Sequence, residues 1–148
     1  MFDLQELYQE IVMDHNRRPR NYGALENPTN EANGFNPVCG DEVTVFLEVM
    51  EGKIIDVSFN GVGCAISKSS ASMMTEHLKG LTIEEAEKAH EEFNNHLTKS
   101  GAPDLPQESE LAALTGVRNF PTRIKCATLP WQTLISALKG SADEITTE

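Results

Sequence analysis

Three cysteines, Cys39, Cys64 and Cys126, carry the chemistry this chain can offer. A thiolate is a nucleophile and a soft metal ligand, so three uses are open: metal binding, catalysis, or burial as a small hydrophobe. An odd number cannot all pair within one chain, and a reducing compartment keeps thiols free, so a disulfide framework is not expected. Cys39-Gly40-Asp41 presents a thiolate and a carboxylate together, because residues two apart in an extended chain project to the same side. Gly40 between them lets the backbone bend around something bound. Cys64 follows Gly61-Val62-Gly63 at the start of a helix, where unpaired N–H groups and the helix dipole favour a thiolate. Cys126 lies near the start of the last helix, with Arg123 one turn earlier and Lys125 adjacent. All three fall at element boundaries rather than on apolar stripes, which argues against joint burial. Three thiolates and one carboxylate, Cys39, Asp41, Cys64 and Cys126, make a complete ligand set for tetrahedral zinc. Their combined charge of −4 falls only to −2 with the metal, so Arg123 or Lys125 is expected close by. His15, His77, His90 and His96 are read as structural or surface residues, not ligands.

The elements that must position these residues follow from periodicity. Residues 3–16 read as a helix, with Asp3 as cap and Leu4, Leu7, Tyr8, Ile11 and Val12 as its apolar stripe. Residues 16–30 are irregular, broken by Pro19, Gly23 and Pro28. Arg17, Arg18 and Arg20 lie there, either as a solvated basic turn or as a patch for an acidic protein partner. Residues 43–50 and 54–59 alternate as two strands of a hairpin around Gly52. A two-residue loop would set Leu47 opposite Asp56. A longer loop or a bulge sets Val49 against Ile55, Leu47 against Val57 and Val45 against Phe59 on one face, and this register is expected. A helix then runs from Cys64 to about Lys79-Gly80, and Thr82-Ile83-Glu84-Glu85 is a capping box for the next, with Leu81 as staple. Residues 100–107 read as a loop, 109–115 as a short helix. The last helix is expected to start near Pro121 or Thr128, since Pro130 suits a first turn better than an interior. The ends, residues 1–2 and about 141–148, are expected to fray around a single domain spanning 1–148.

Composition narrows the class. With 12 Lys+Arg against 23 Asp+Glu the formal charge is −11, which argues against a nucleic-acid partner. At 39% hydrophobic and 24% charged, the chain has the balance of a globular domain. No apolar run is long enough for a membrane span, and the acidic amphipathic start is unlike a signal peptide, so a cytoplasmic location is expected.

Asp14-His15, Arg18-Pro19-Arg20-Asn21-Tyr22-Gly23, Asn36-Pro37-Val38-Cys39-Gly40-Asp41, Gly63-Cys64-Ala65-Ile66-Ser67 and Arg123-Ile124-Lys125-Cys126 together resemble the IscU-like (NifU N-terminal) family. The resemblance runs along nearly the whole chain. Two features are similar to the SufU branch: the long stretch between Cys64 and Cys126, and Lys125 where housekeeping IscU proteins have histidine. Phe120-Pro121-Thr122-Arg123-Ile124 also departs from the Leu-Pro-Pro-Val-Lys motif through which those proteins bind a specialised Hsp70 chaperone. The resemblance implies an α+β fold, a small antiparallel sheet with helices packed on one side and a metal site at one end.

For the SufU branch it implies a zinc-bound sulfur acceptor that takes persulfide sulfur from a PLP-dependent cysteine desulfurase. That sulfur then passes towards a downstream iron–sulfur scaffold complex. The alternative is a scaffold on which a transient iron–sulfur cluster is built, because three cysteines can hold either cargo. A purely structural zinc site would more often use four Cys or His ligands, and a carboxylate is the easiest of these four to exchange. The resemblance places the acceptor role at Cys39, whose Gly- and Pro-flanked loop can move with little cost to packing. Asp41 is then the exchangeable ligand, and Arg123 steadies the anionic persulfide.

Overall fold

The computed structural model describes residues 4–99, 105, 109–140 and 145–146. Helix α1 (Leu4–Arg17) leads into strands β1 (Asn30–Asn36), β2 (Asp41–Met50) and β3 (Lys53–Val62). There follow α2 (Ala65–Leu78), α3 (Ile83–Thr98), a 3-10 helix (Glu110–Asn119), α4 (Pro121–Leu138) and the two-residue strand β4 (Ile145–Thr146). The sheet order is β3-β2-β1-β4, with the first three strands antiparallel and β4 parallel to β1. The fold is α+β, as expected. Among the described residues, no helix is long and apolar enough to cross a membrane.

Alternation decides which face of the sheet is covered. In β2, Asp41, Val43, Val45 and Leu47 all point inward, and Val57 and Phe59 of β3 join them in the core. The hairpin satisfies both halves of the register argument at once. Glu51 and Gly52 form a two-residue turn with φ of 52° and 78°, the left-handed geometry that suits strand twist. A bulge between Glu48 and Val49 then restores Leu47 opposite Val57 and Val45 opposite Phe59. The bulge corrects one expected pair: Val49 faces Ile54, not Ile55. Ile54 is fully buried and Ile55 is 45% exposed.

Strand β1 was not expected. Its sequence, Asn-Glu-Ala-Asn-Gly-Phe-Asn, is a poor strand former, yet it pairs with β2 along its whole length. Pairing supplies what propensity lacks. Ala32, Gly34 and Asn36 face inward, and α4 lies so close that a Cβ on Gly34 would overlap Thr133 Oγ1. The irregular segment before β1 is tied to the opposite edge, where the Gly23 N–H donates to the Phe59 carbonyl at 2.7 Å.

The helices cover the inward face. Small residues on α2, among them Ser69, Ser70, Ala71 and Ser72, are buried and let α1 and α4 approach it. Trp131 of α4 is fully buried, stacks on Phe93 of α3 at 4.7 Å and donates to Ser70 Oγ at 3.2 Å. The capping box at Thr82 is present in full, and Leu81 packs against the core. The 3-10 helix runs beyond the expected 109–115. Pro121 occupies the first turn of α4, while Pro130 sits inside the helix, contrary to expectation. Its missing N–H leaves the Cys126 carbonyl without the usual helical donor, a defect offset by the burial of the helix from Cys126 onward. The proposed cap Asp3 and nearly all of the 100–107 loop lie outside the described residues. So does the tail beyond residue 140, except that Ile145 and Thr146 pair with Gly34 and Phe35 rather than fray.

Candidate metal centre

The inward period of β2 ends on a carboxylate. Asp41 continues the row of Val43, Val45 and Leu47, so its side chain enters the end of the core and is fully buried. The β1–β2 register sets Asn36 directly opposite, also inward and fully buried. The turn between these strands carries Cys39, with Gly40 at φ 70°. The donor atoms of Cys39, Asp41 and Cys126 lie within 4.8 Å of one another. The Cys39 and Cys126 sulfurs are 3.2 Å apart.

Cys64 approaches the same cluster from β3. It is the N-cap of α2, and its Sγ accepts the Ser67 N–H at 3.5 Å. Its own N–H donates to Asp41 Oδ1 at 2.8 Å. The chain can bring Cys64 so near Asp41 only because residue 63 is glycine: a Cβ there would stand 2.5 Å from Asp41 Oδ1. Cys64 is close enough to Cys126 to act on it by charge and by hydrogen bonding.

Electrostatics mark the cluster as crowded. Burial, first of all, pushes the Cys126 thiol well above its ordinary range, and hydrogen bonds with Cys39 and Asp41 add to this. Arg123, one turn before Cys126 on α4, is the answering cation. The charges of Cys64, Cys126 and Cys39, in that order, raise its own pKa. Arg123 is exposed, so it faces the cluster from the solvent side. Among the described residues no comparable interaction brings Lys125 to the thiols.

Tetrahedral zinc with bonds of about 2.3 Å to sulfur and about 2.0–2.2 Å to oxygen requires donor atoms roughly 3.5–3.8 Å apart. Three donors within 4.8 Å, with the third thiol, Cys64, at their edge as a fourth donor, fit such an ion after small side-chain rotations. A metal held there would neutralise half of the anionic charge and keep the thiols as thiolates.

The histidines stay out of the cluster. His15 is fully buried on α1, with Nδ1 2.7 Å from Ser72 Oγ and Nε2 2.9 Å from Glu110 Oε2. His96 lies 3.0 Å from Thr115 Oγ1. His77 and His90 are on α2 and α3, and burial pushes both imidazoles down. The arginine cluster is partly consumed by structure: Arg18 and Arg20 each lie 2.6 Å from Asp14, and the Arg20 N–H donates to Ser72 Oγ. That leaves Arg17 as the exposed member without a role in this network.

Sequence reasoning passed over Asn36. Its signal was the strand register, which a polar strand with no apolar alternation conceals.

The model of the NifU-like N terminal domain matches residues 7–127. The zinc-dependent sulfurtransferase SufU of Bacillus subtilis (strain 168) is 41% identical over 143 residues, covering 96% of this chain and 94% of that protein. The iron–sulfur cluster assembly scaffold protein IscU of Streptococcus pyogenes serotype M1 is 39% identical, covering 95% and 87%. Among solved structures, a proposed iron–sulfur cluster assembly scaffold protein for the SUF system of Fervidobacterium islandicum AW-1 superposes with a TM-score of 0.81. That protein is 36% identical, and the match covers 87% of this chain and 94% of that one.

Proposed function

The chain belongs to the NifU-like N terminal domain family, and from that premise we propose that it serves iron–sulfur cluster assembly as a zinc-dependent sulfur acceptor. It takes persulfide sulfur from a cysteine desulfurase and relays it to a downstream scaffold. The observation that carries this reading is the cluster itself: Cys39, Asp41 and Cys126 with donors within 4.8 Å, Cys64 beside them and Arg123 facing all three thiols. The Bacillus subtilis relative, named a zinc-dependent sulfurtransferase, supports zinc as the resident ion.

Cys39, Asp41, Cys64 and Cys126 would hold the zinc, whose contribution is to keep the thiols deprotonated near neutral pH. Cys39 is the acceptor. It sits on the β1–β2 turn, whereas Cys126 is fully buried in α4 and Cys64 is tied to Asp41 and to the start of α2. The Cys39 thiolate attacks the outer sulfur of the desulfurase persulfide. A new S–S bond forms on Cys39, the old S–S bond breaks, and the electron pair leaves with the desulfurase cysteine as thiolate. The transfer is redox-neutral and needs no further reagent. Arg123 balances the charge of the persulfide now carried by Cys39.

Metal analysis of anaerobically purified protein separates the relay from a scaffold, the reading that the Streptococcus pyogenes relative's name favours. One zinc per chain and no visible absorbance is expected; iron, sulfide and a brown colour would favour the scaffold. Incubation with desulfurase and cysteine, followed by mass spectrometry under non-reducing conditions, is expected to find sulfur first on Cys39. Sulfur found first on Cys126, or a Cys39→Ala variant that still stimulates the desulfurase, would overturn the acceptor assignment.

A further inference from the structure

One uncharged side chain touches two candidate ligands and the backbone beside a third. Asn36 closes β1, is fully buried and faces Asp41 across the strand pair. Its Oδ1 accepts the Val38 N–H at 3.2 Å, which orients the amide: the NH2 end must point the other way. Nδ2 then donates to Asp41 Oδ2 at 3.2 Å and to Cys126 Sγ at 3.5 Å. The amide has two hydrogens, one for each acceptor. The other Asp41 oxygen is held by the Cys64 N–H, so the carboxylate is gripped from both sides. Val38 immediately precedes Cys39, so the same amide also anchors the root of the acceptor's turn.

We propose that Asn36 is a positioning residue that presets Cys39, Asp41 and Cys126 for a thiophilic divalent cation, and so governs the affinity and geometry of the site. The inference rests on the reading of those residues as metal ligands. Three features support it. Asn36 reaches candidate ligands from two separate elements, β2 and α4, and the backbone next to a third ligand, Cys39. It offers N–H groups to anionic acceptors that would otherwise repel one another, and hydrogen bonds to charged acceptors are the stronger kind. It adds no charge to a site that already holds three thiols and a carboxylate. A residue serving only as core filler would have no need to direct its amide nitrogen at two candidate ligands at once.

The test compares the full-length wild-type chain with Asn36→Asp, which keeps the shape but loses both donors, and with Asn36→Ser. Zinc affinity is read by competition with a chromogenic chelator. Cobalt(II) serves as a spectroscopic probe, because its charge-transfer and ligand-field bands report the number and arrangement of thiolates. Zinc binding is expected to weaken by about 10- to 100-fold, the usual cost of losing a partner that orients a metal ligand. The cobalt bands are expected to shift, while the metal-free variants keep the wild-type circular dichroism. A nitrogen-15 spectrum of the wild type gives a readout that needs no variant: the Asn36 side-chain NH2 pair should exchange slowly and move when zinc is added. Wild-type affinity and cobalt bands in both variants would overturn the proposal. An Asn36 amide that exchanges like a surface asparagine, or ignores zinc, would do the same, and it decides the matter if the variants fail to fold. If the wild-type chain itself binds neither ion through thiolates, it is the ligand reading that falls, and this is seen before any variant is made.

Discussion

At the scale of single residues, the approach of β3 to Asp41 is where the site is most easily broken. Gly63→Ala would press a methyl group against Asp41 Oδ1 and prise the Cys64 N–H away from it. A loss of about 1–3 kcal/mol in stability is expected, the usual cost of overpacking, together with weaker zinc retention. Urea unfolding with and without zinc measures both, and an unchanged midpoint in each would remove Gly63 from the account. The arginine turn gives a second prediction with a defined sign. Arg20, and then Arg18, hold the Asp14 carboxyl down to about 2, below its unfolded value of 3.8. Stabilisation from this pair is therefore complete above the unfolded value and disappears as the pH falls through about 2. Wild type and Asp14→Asn should differ slightly in melting temperature at pH 5 and converge near pH 2. The difference is small because these side chains are partly solvated, and added salt shrinks it further. A gap that widens on acidification would be inconsistent with the ion pair.

At the scale of elements, α4 is the piece on which the site and the core both depend. It presents Arg123 and Cys126 to the cluster, Trp131 to Phe93, and Thr133 to the backbone of β1. Gly34→Ala should displace it, costing about 1–3 kcal/mol by overpacking, and Thr133→Ala in the same chain should restore part of that loss. A double-mutant cycle in urea with no positive coupling would contradict so close a contact. The sequence made α1 and the hairpin legible because their apolar residues recur at the period of the element, and α2 and α3 because Cys64 and Thr82 stand at helix starts and Gly80 at a helix end. The three cysteines were legible for the opposite reason, because they fall at element boundaries outside those periods. Asp41 was legible because it stands two residues from Cys39. What stayed hidden obeys no local rule. Strand β1 is held by its partner rather than by its own residues, so neither the strand nor Asn36 at its end could be read. Pro130 was misjudged because a helix buried on nearly every side tolerates a proline that an exposed helix would not. Ile54 and Ile55 exchanged places because a bulge can stand beside a two-residue turn, and alternation alone cannot distinguish that from a longer loop.

At the scale of the whole molecule, the candidate ligands tie the end of the sheet to α2 and α4. Zinc present at about 100 times its dissociation constant would stabilise such a fold by about 2.7 kcal/mol. Stripping the metal with a strong chelator should therefore lower the melting temperature, and readdition of zinc, but not magnesium, should restore it. An indifferent melting curve would mean that no metal couples to the fold. The cluster's sequence spacing has a further consequence for how the protein comes into being. Asn36, Asp41 and the Cys64 amide meet when neighbouring strands zip together, a short-range event that forms early. Cys126 is 87 positions from Cys39 and arrives only when α4 docks, after a much longer loop has closed. On a ribosome the chain would thus expose an incomplete nest of donors for most of its synthesis. Tight ion capture would wait for the last helix, so a loaded centre certifies that folding has finished.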